Sequence, residues 1–163
     1  MTVTSSPVRI WTVCAHHAAF RCGGWAYVRE AGGGDLSGAA GGERYVTAER
    51  MALAGLAAAM TGLPKAAGVA IHTPNAWLMA RGPLIGGTAT GDEAPVDDLD
   101  LWARIIAAAQ GRKVRLIRTA VEPKSPLAFA AAWADLARDK AKASGPFTSP
   151  IPKPNLAKVA GLG

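Results

Sequence analysis

The order of periodic segments along the chain constrains its fold more than any other feature. The first segment, from Val8 to Cys14, alternates its side chains between two faces, which is typical of a strand. Two more strand-like segments follow, and the rest of the chain reads helix, strand, helices, strand, helix. Successive strands favour an antiparallel meander, whereas strand–helix–strand crossovers add parallel neighbours. We therefore predict an α/β fold with a five-stranded mixed sheet, three antiparallel strands and then parallel crossovers, flanked by helices.

The chain has a one-domain length, and its last twenty residues differ from the rest. The helical and strand-like patterns end near Ala143, and four prolines follow at positions 146, 150, 152 and 154. Proline removes a backbone donor and interrupts both helices and central strands. We therefore predict one domain over residues 1–143 and a proline-containing, extended C-terminal tail over residues 144–163.

Composition places the chain among soluble globular proteins. Half of its residues are hydrophobic and 18% are charged, a balance that does not favour disorder. The longest apolar run, near Met51 to Met60, is too short to span a bilayer. Since the first seven residues are polar and lack a secretory apolar core, we expect a cytoplasmic protein with no membrane partner.

Positive charge is concentrated in the second part of the chain. Residues 1–100 contain 7 Lys/Arg and 9 Asp/Glu, whereas residues 101–163 contain 11 Lys/Arg and 3 Asp/Glu. The densest basic group has two interpretations. It could be a strip that contacts phosphates, or a solvated strand edge whose charges resist aggregation. The candidate nucleic-acid-binding residues are Arg112, Lys113, Arg115, Arg118 and Lys124.

Six short motifs stand in the order and at the approximate spacing of motifs in a known family. They are I-W-T at 10–12, G-G-W at 23–25, T-A-E-R-M-A-L at 47–53, I-H-T-P at 71–74, D-L-W at 100–102 and D-L-A-R at 135–138. The third is similar to the T-N-N-R-M-E-L of that family's first helix. On these motifs the chain resembles type 1 ribonuclease H over about residues 8–143, which implies the ribonuclease H fold.

The same resemblance implies that the catalytic centre of the family is missing. Hydrolysis of the RNA strand of an RNA/DNA hybrid uses two divalent ions, and clustered carboxylates hold that pair. In the register of the six motifs, the four carboxylate positions are occupied by residues whose side chains cannot bind a metal. They are Val13, Ala52, Pro74 and Ala134. The family's RNA-reading asparagines fall at Ala48 and Glu49, so we expect the fold without the hydrolysis.

Two rearranged metal sites remain as alternatives. Glu49 and Asp135 lie near two of the vacated positions, but we interpret them as solvated acids. Cys14, His16, His17 and Cys22 could all bind zinc, although their spacing matches no structural zinc pattern. Cys14 could also act as a nucleophile beside a histidine base, without an evident third residue to orient that base.

The sequence therefore favours a catalytically inactive ribonuclease H-like protein that binds an RNA/DNA hybrid or another duplex. Its binding would be electrostatic, independent of metal and without a cofactor. The alternative is a protein-interaction or structural module on the same fold, with a protein partner or a second copy of itself in place of nucleic acid. A third alternative is a metal enzyme with relocated ligands.

Overall fold

The computed structural model describes residues 7–31, 34–64, 68–86 and 95–159. Its strands are β1 (Val8–His17), β2 (Cys22–Ala31), β3 (Asp35–Arg44), β4 (Val69–Thr73), β5 (Val114–Arg118) and β6 (Phe147–Pro150). Its helices are α1 (Ala48–Met60), α2 (Ala76–Met79), α3 (Gly82–Ile85), α4 (Leu99–Ala109), α5 (Pro126–Ser144) and α6 (Lys153–Leu156).

All six strands belong to one sheet in the order β5-β4-β1-β2-β3-β6. Strand β2 is antiparallel to both β1 and β3, while β4 is parallel to β1 and β5 is parallel to β4. This topology confirms the predicted mixed α/β sheet, in which an antiparallel meander precedes two parallel additions. The predicted number of five strands is wrong, because β6 adds a sixth strand antiparallel to β3.

Residues 147–159, which the sequence assigned to an extended tail, pair with and pack against the sheet instead. The Ile151 amide donates to the Gly38 carbonyl at 2.9 Å, and the side chains of Ile151 and Leu156 are buried. Strand β3 permits this approach because its central residues are glycine and alanine. The prolines do not prevent pairing, since Pro150 ends β6 and Pro152 precedes α6. Residues 160–163 lie outside the described part of the chain.

Apolar residues form a core on each side of the sheet. On one side, α1 packs against β1 and β2 around Ile10, Trp25 and Leu56, and α4 packs against α1. On the other side, α5 packs across β1, β2 and β3, and α6 contacts β3. Helix α5 presents its small residues to the sheet, so it can lie close to the strands. These buried alanines are Ala130, Ala134, Ala137 and Ala141.

Side-chain caps begin the two long helices of this framework. The Thr47 hydroxyl accepts from the Arg50 amide at 3.1 Å, and the Ser125 hydroxyl accepts from the Ala128 amide at 3.1 Å. Each cap satisfies an amide that has no partner within its own helix. Within the described residues, no helix combines the length and apolar character needed to cross a membrane.

Candidate nucleic-acid interface

Three of the four positions that the family resemblance assigns to carboxylates meet at one small pocket. Val13 projects from β1, Ala52 from α1, and Pro74 directly follows β4. They line a cavity of about 120 Å³ whose remaining walls are Thr12, Cys14, Thr73, Asn75 and Leu78. The resemblance placed these positions together, and the topology does bring β1, α1 and the carboxyl end of β4 to one point.

The fourth position, Ala134, does not line this pocket. It is fully buried on α5 within the core on the other side of the sheet, and Val13 packs against the edge of that core. Ala134 therefore serves as a packing residue between α5 and the sheet.

The pocket contains one thiol, and its surroundings keep that thiol protonated. Burial raises the pKa of Cys14, an effect that the hydrogen bond from Asn75 opposes. The Asn75 Nδ2 group lies 3.8 Å from the Cys14 Sγ atom, while the Asn75 Oδ1 atom caps α2 by accepting from the Leu78 amide. His16 is not hydrogen-bonded to the thiol: its Nε2 atom contacts the Val46 carbonyl at 2.8 Å, and the described partners of the Cys14 Sγ atom are the Ala48 carbonyl and Asn75. The alternative of a Cys14 nucleophile is therefore not supported by the geometry.

The zinc alternative is contradicted by the register of the first hairpin. His16 pairs with Gly23 and His17 pairs with Cys22, so His17 and Cys22 project to the same face of the sheet. Cys14 and His16 project to the opposite face because side chains alternate along β1. The four side chains therefore cannot converge on one ion. In the described ranges, no group of three His, Cys, Asp or Glu residues could hold a metal.

The acids at the start of α4 stabilise the fold through an arginine of α1. The Arg50 guanidinium lies 2.9 Å from a carboxylate oxygen of Asp98 and 3.0 Å from one of Asp100. Hydrogen bonding to Arg50 lowers the pKa of Asp100.

On α5, Asp135 pairs with Arg138 at 3.5 Å. Glu49 is exposed. It lines a larger groove of about 740 Å³.

The predicted basic group is divided by the structure into different environments. Strand β5 is an edge strand of the sheet, and Arg115 and Arg118 are exposed along it. Lys113 directly precedes the strand, and Lys124 lies in the loop before α5; both are exposed. Arg112 differs, because its guanidinium donates to the carbonyls of Ala108, Leu63 and Pro64. Arg112 therefore anchors the end of α4, which the sequence did not predict.

Two further charged or titratable residues lie beside this edge and were not among the predicted site residues. Arg9 of β1 donates to a Glu30 carboxylate oxygen at 2.9 Å. His72 of β4 stacks on Trp11, with ring centroids 5.4 Å apart. The alternation of β1 shows that Arg9 and Trp11 share a face, but only the parallel pairing with β4 places His72 beside them.

Comparison with solved structures identifies the fold. The N-terminal RNase H domain of a Mycobacterium tuberculosis protein, solved as a fusion with maltose-binding protein, matches with a TM-score of 0.64 at 16% identity over 86% of this chain and 99% of that one. LC9-RNase H1, a type 1 RNase H with the type 2 active-site motif, matches with a TM-score of 0.60 at 16% identity over 98% of this chain and 88% of that one.

A third match is RNase H1 from the halophilic archaeon Halobacterium salinarum NRC-1. Its TM-score is 0.55 at 18% identity, over 83% of this chain and 99% of that one. No family model matches the chain, and no curated protein sequence matches it. Because these matches cover 83–98% of this chain with TM-scores of 0.55–0.64, they establish its architecture: the chain has the ribonuclease H fold.

Proposed function

We propose that this chain is a ribonuclease H-like protein that binds nucleic acid, an RNA/DNA hybrid or another duplex, without hydrolysing it. The observation that carries the proposal is the pocket lined by Val13, Ala52 and Pro74. Two-metal hydrolysis needs carboxylate oxygens at such a point, and these three side chains offer none. The matched structures are ribonucleases H by name, which supports nucleic acid as the ligand class.

The basic edge of the sheet supports the binding part of the proposal. Lys113, Arg115, Arg118 and Lys124 are exposed on or near β5. Cationic side chains on a rigid strand can neutralise phosphates irrespective of base sequence. Binding of this kind requires neither a metal nor a cofactor and suits a cytoplasmic protein.

Fluorescence anisotropy of a labelled RNA/DNA hybrid tests binding. We expect saturable binding at about 0.1 M salt that weakens steeply as salt is raised. The double variant Arg115→Glu/Arg118→Glu should lose at least about tenfold in affinity. Lys153→Glu/Lys158→Glu changes the net charge equally in and just after α6, which contacts β3 near the other edge of the sheet, and should retain most of the affinity. Absence of wild-type binding at low salt would contradict the proposal.

A cleavage assay tests the absence of hydrolysis. The wild-type protein is incubated with the same hybrid in Mg²⁺ or Mn²⁺, and intact RNA is expected after long incubation. Binding should persist when the metal is chelated, since no carboxylate cluster is needed for it. Metal-dependent cleavage by protein that has been freed of contaminating nuclease would overturn the inactive assignment.

A second candidate function is a protein-interaction module, and one observation favours it. The larger groove is bordered by Tyr45 and Val96, whose side chains are 83% and 84% exposed. Large exposed apolar side chains at one groove are typical of a contact surface. If the hybrid does not bind, light scattering of the wild-type protein tests this candidate. A stable oligomer that is lost in the double variant Tyr45→Ser/Val96→Ser would support it. A monomer in the wild type would argue against self-association.

A further inference from the structure

One face of the sheet is only partly covered by helices. On the side of α5, that helix packs across β1, β2 and β3, and α6 contacts β3. These are the two helices that the described chain places on this side, so the outer strands β4 and β5 have no helix above them there. Loop residues 119–125 follow β5 at its end. The sheet surface over β4 and β5 is therefore available for contact.

The pairing register shows which residues form this surface. Arg9 of β1, Ala70 of β4 and Arg115 of β5 stand in one row across three strands. Adjacent strands lie about 4.8 Å apart, so the two arginines originate about 10 Å from each other on either side of a small residue. The next row is Trp11, His72 and Ile117. The surface carries two guanidinium groups beside an imidazole.

The charge of this surface is positive. Arg9 is balanced by Glu30, whereas Arg115 has no ion-pair partner among the described residues. Lys113 shares this side by the alternation of the strand, and its carbonyl accepts from the Val69 amide, which continues the ladder. By contrast, the groove on the opposite side of the sheet is lined by three carboxylates and two guanidinium groups, those of Glu49, Asp97, Asp98, Arg50 and Arg81.

His72 is held so that one ring nitrogen remains open for a ligand. The Thr119 hydroxyl donates to the Ile117 carbonyl, so it accepts from the Nδ1 group of His72 at 3.1 Å. The Nε2 atom then carries the titrating lone pair and has no hydrogen-bond partner within the described chain. Burial, with Arg9 and Arg115 nearby, lowers the pKa of His72. An anion on this surface would oppose both arginine charges and favour the protonated ring.

We propose that the phosphate backbone of the bound nucleic acid contacts the sheet face formed by Arg9, His72 and Arg115, on the side of the sheet that carries α5. This inference rests on the proposed function and assigns its contact surface. The guanidinium fork of Arg115 can bind phosphate oxygens in bidentate fashion. Arg9 offers its Nη1 group beside it, since its Nε and Nη2 atoms donate to Glu30. The carboxylates on the opposite side would repel the same backbone.

Two arginines of one strand provide the test. Arg115 and Arg118 are both exposed and lie on β5, but alternation directs them to opposite faces of the sheet. In the hybrid anisotropy assay at about 0.1 M salt, Arg115→Glu should weaken binding at least about tenfold. Arg118→Glu should weaken binding by less than about a third of the factor measured for Arg115→Glu. Arg115→Gln should give an intermediate loss. Unchanged melting temperatures establish that the variants are folded.

The outcomes separate this inference from the function on which it rests. If the wild type binds but Arg118→Glu weakens binding as much as Arg115→Glu, the surface assignment is overturned and the proposed function stands. If the wild type does not bind, both fail. If a poly-glutamate peptide binds as tightly and with the same dependence on Arg115, the surface recognises acidic protein segments, and the assignment to nucleic acid is overturned.

A spectroscopic readout reports on the surface directly. In NMR spectra of the full chain, saturating hybrid should move the imidazole resonances of His72 and raise its pKa. An unmoved His72 in a saturated complex would overturn the assignment. The measurement does not depend on a substitution, so it remains decisive even if a variant folds poorly.

Discussion

Gly24 of β2 lies directly against the backbone of Ala134 in α5. A Cβ atom on Gly24 would stand 2.4 Å from the Ala134 carbonyl oxygen and 2.4 Å from the Arg138 amide nitrogen. Real Cβ atoms do not approach backbone atoms so closely, and neither atom belongs to a flexible side chain. The main layer contact of the fold therefore depends on the absence of a side chain at one strand position.

Gly24→Ala should lower the free energy of unfolding by about 3 kcal/mol, because α5 must move away from β2 to admit the methyl group. Urea denaturation followed by circular dichroism measures the change. Gly82→Ala is the matched control, since a Cβ atom there meets nothing within 4 Å, and its effect should stay within about 0.5 kcal/mol. Equal stabilities of Gly24→Ala and the wild type would contradict the tight contact.

The order of strands and helices could be predicted because it depends on the local periodicity of apolar residues. The alternation of Val8 to Cys14 and the Thr47 cap each depend on residues that are close in sequence. The G-G-W motif could also be read from the sequence, but the reason why its first two residues must be glycine could not. Gly23 and Gly24 are required by Met51 and Ala134, which lie far away along the chain. Strand β6 was missed because four prolines dominate the local pattern there.

The candidate site was predicted only as far as single segments could show it. The meeting of Val13, Ala52 and Pro74 followed from the family resemblance, whereas the burial of Ala134 depends on how α5 docks. The surface around His72 could not be predicted, because it arises from the parallel register of three strands that are distant in sequence. Arg112 was interpreted as a phosphate contact because its hydrogen bonds to Leu63 and Pro64 are tertiary and cannot be read from local sequence.

Leu156→Ala should destabilise the protein by about 2–5 kcal/mol, since Leu156 is a fully buried residue beneath which a cavity would open. Leu136→Ala removes the same atoms from a side chain that is 64% exposed, and its cost should be below about 1 kcal/mol. Both values come from denaturant titration of the full chain. If the two variants were equally stable, residues 147–159 would not belong to the cooperative unit.

Introducing carboxylates tests whether the positions that the resemblance assigns to them converge. In Val13→Asp/Ala52→Glu/Pro74→Asp, three like charges meet at one small pocket and should lower the melting temperature. Millimolar Mn²⁺ should recover several degrees of that loss, because binding to the folded state stabilises it. The amide control Val13→Asn/Ala52→Gln/Pro74→Asn should not respond to the metal, and neither should the wild type. An acid variant that Mn²⁺ does not stabilise would contradict the register.

His72 should make the stability of the protein fall on mild acidification. Burial and the charges of Arg9 and Arg115 lower its pKa below the ordinary value of 6.5, while Glu30 is engaged with Arg9. Between the folded and unfolded pKa values the unfolded chain binds more protons, so stability is lost as the pH falls through 6.5 and levels off below the folded pKa. His72→Gln should lose less stability than the wild type between about pH 7.5 and 5, and Arg115→Gln should show a smaller pH dependence than the wild type. Parallel stability curves for His72→Gln and the wild type would contradict the lowered pKa.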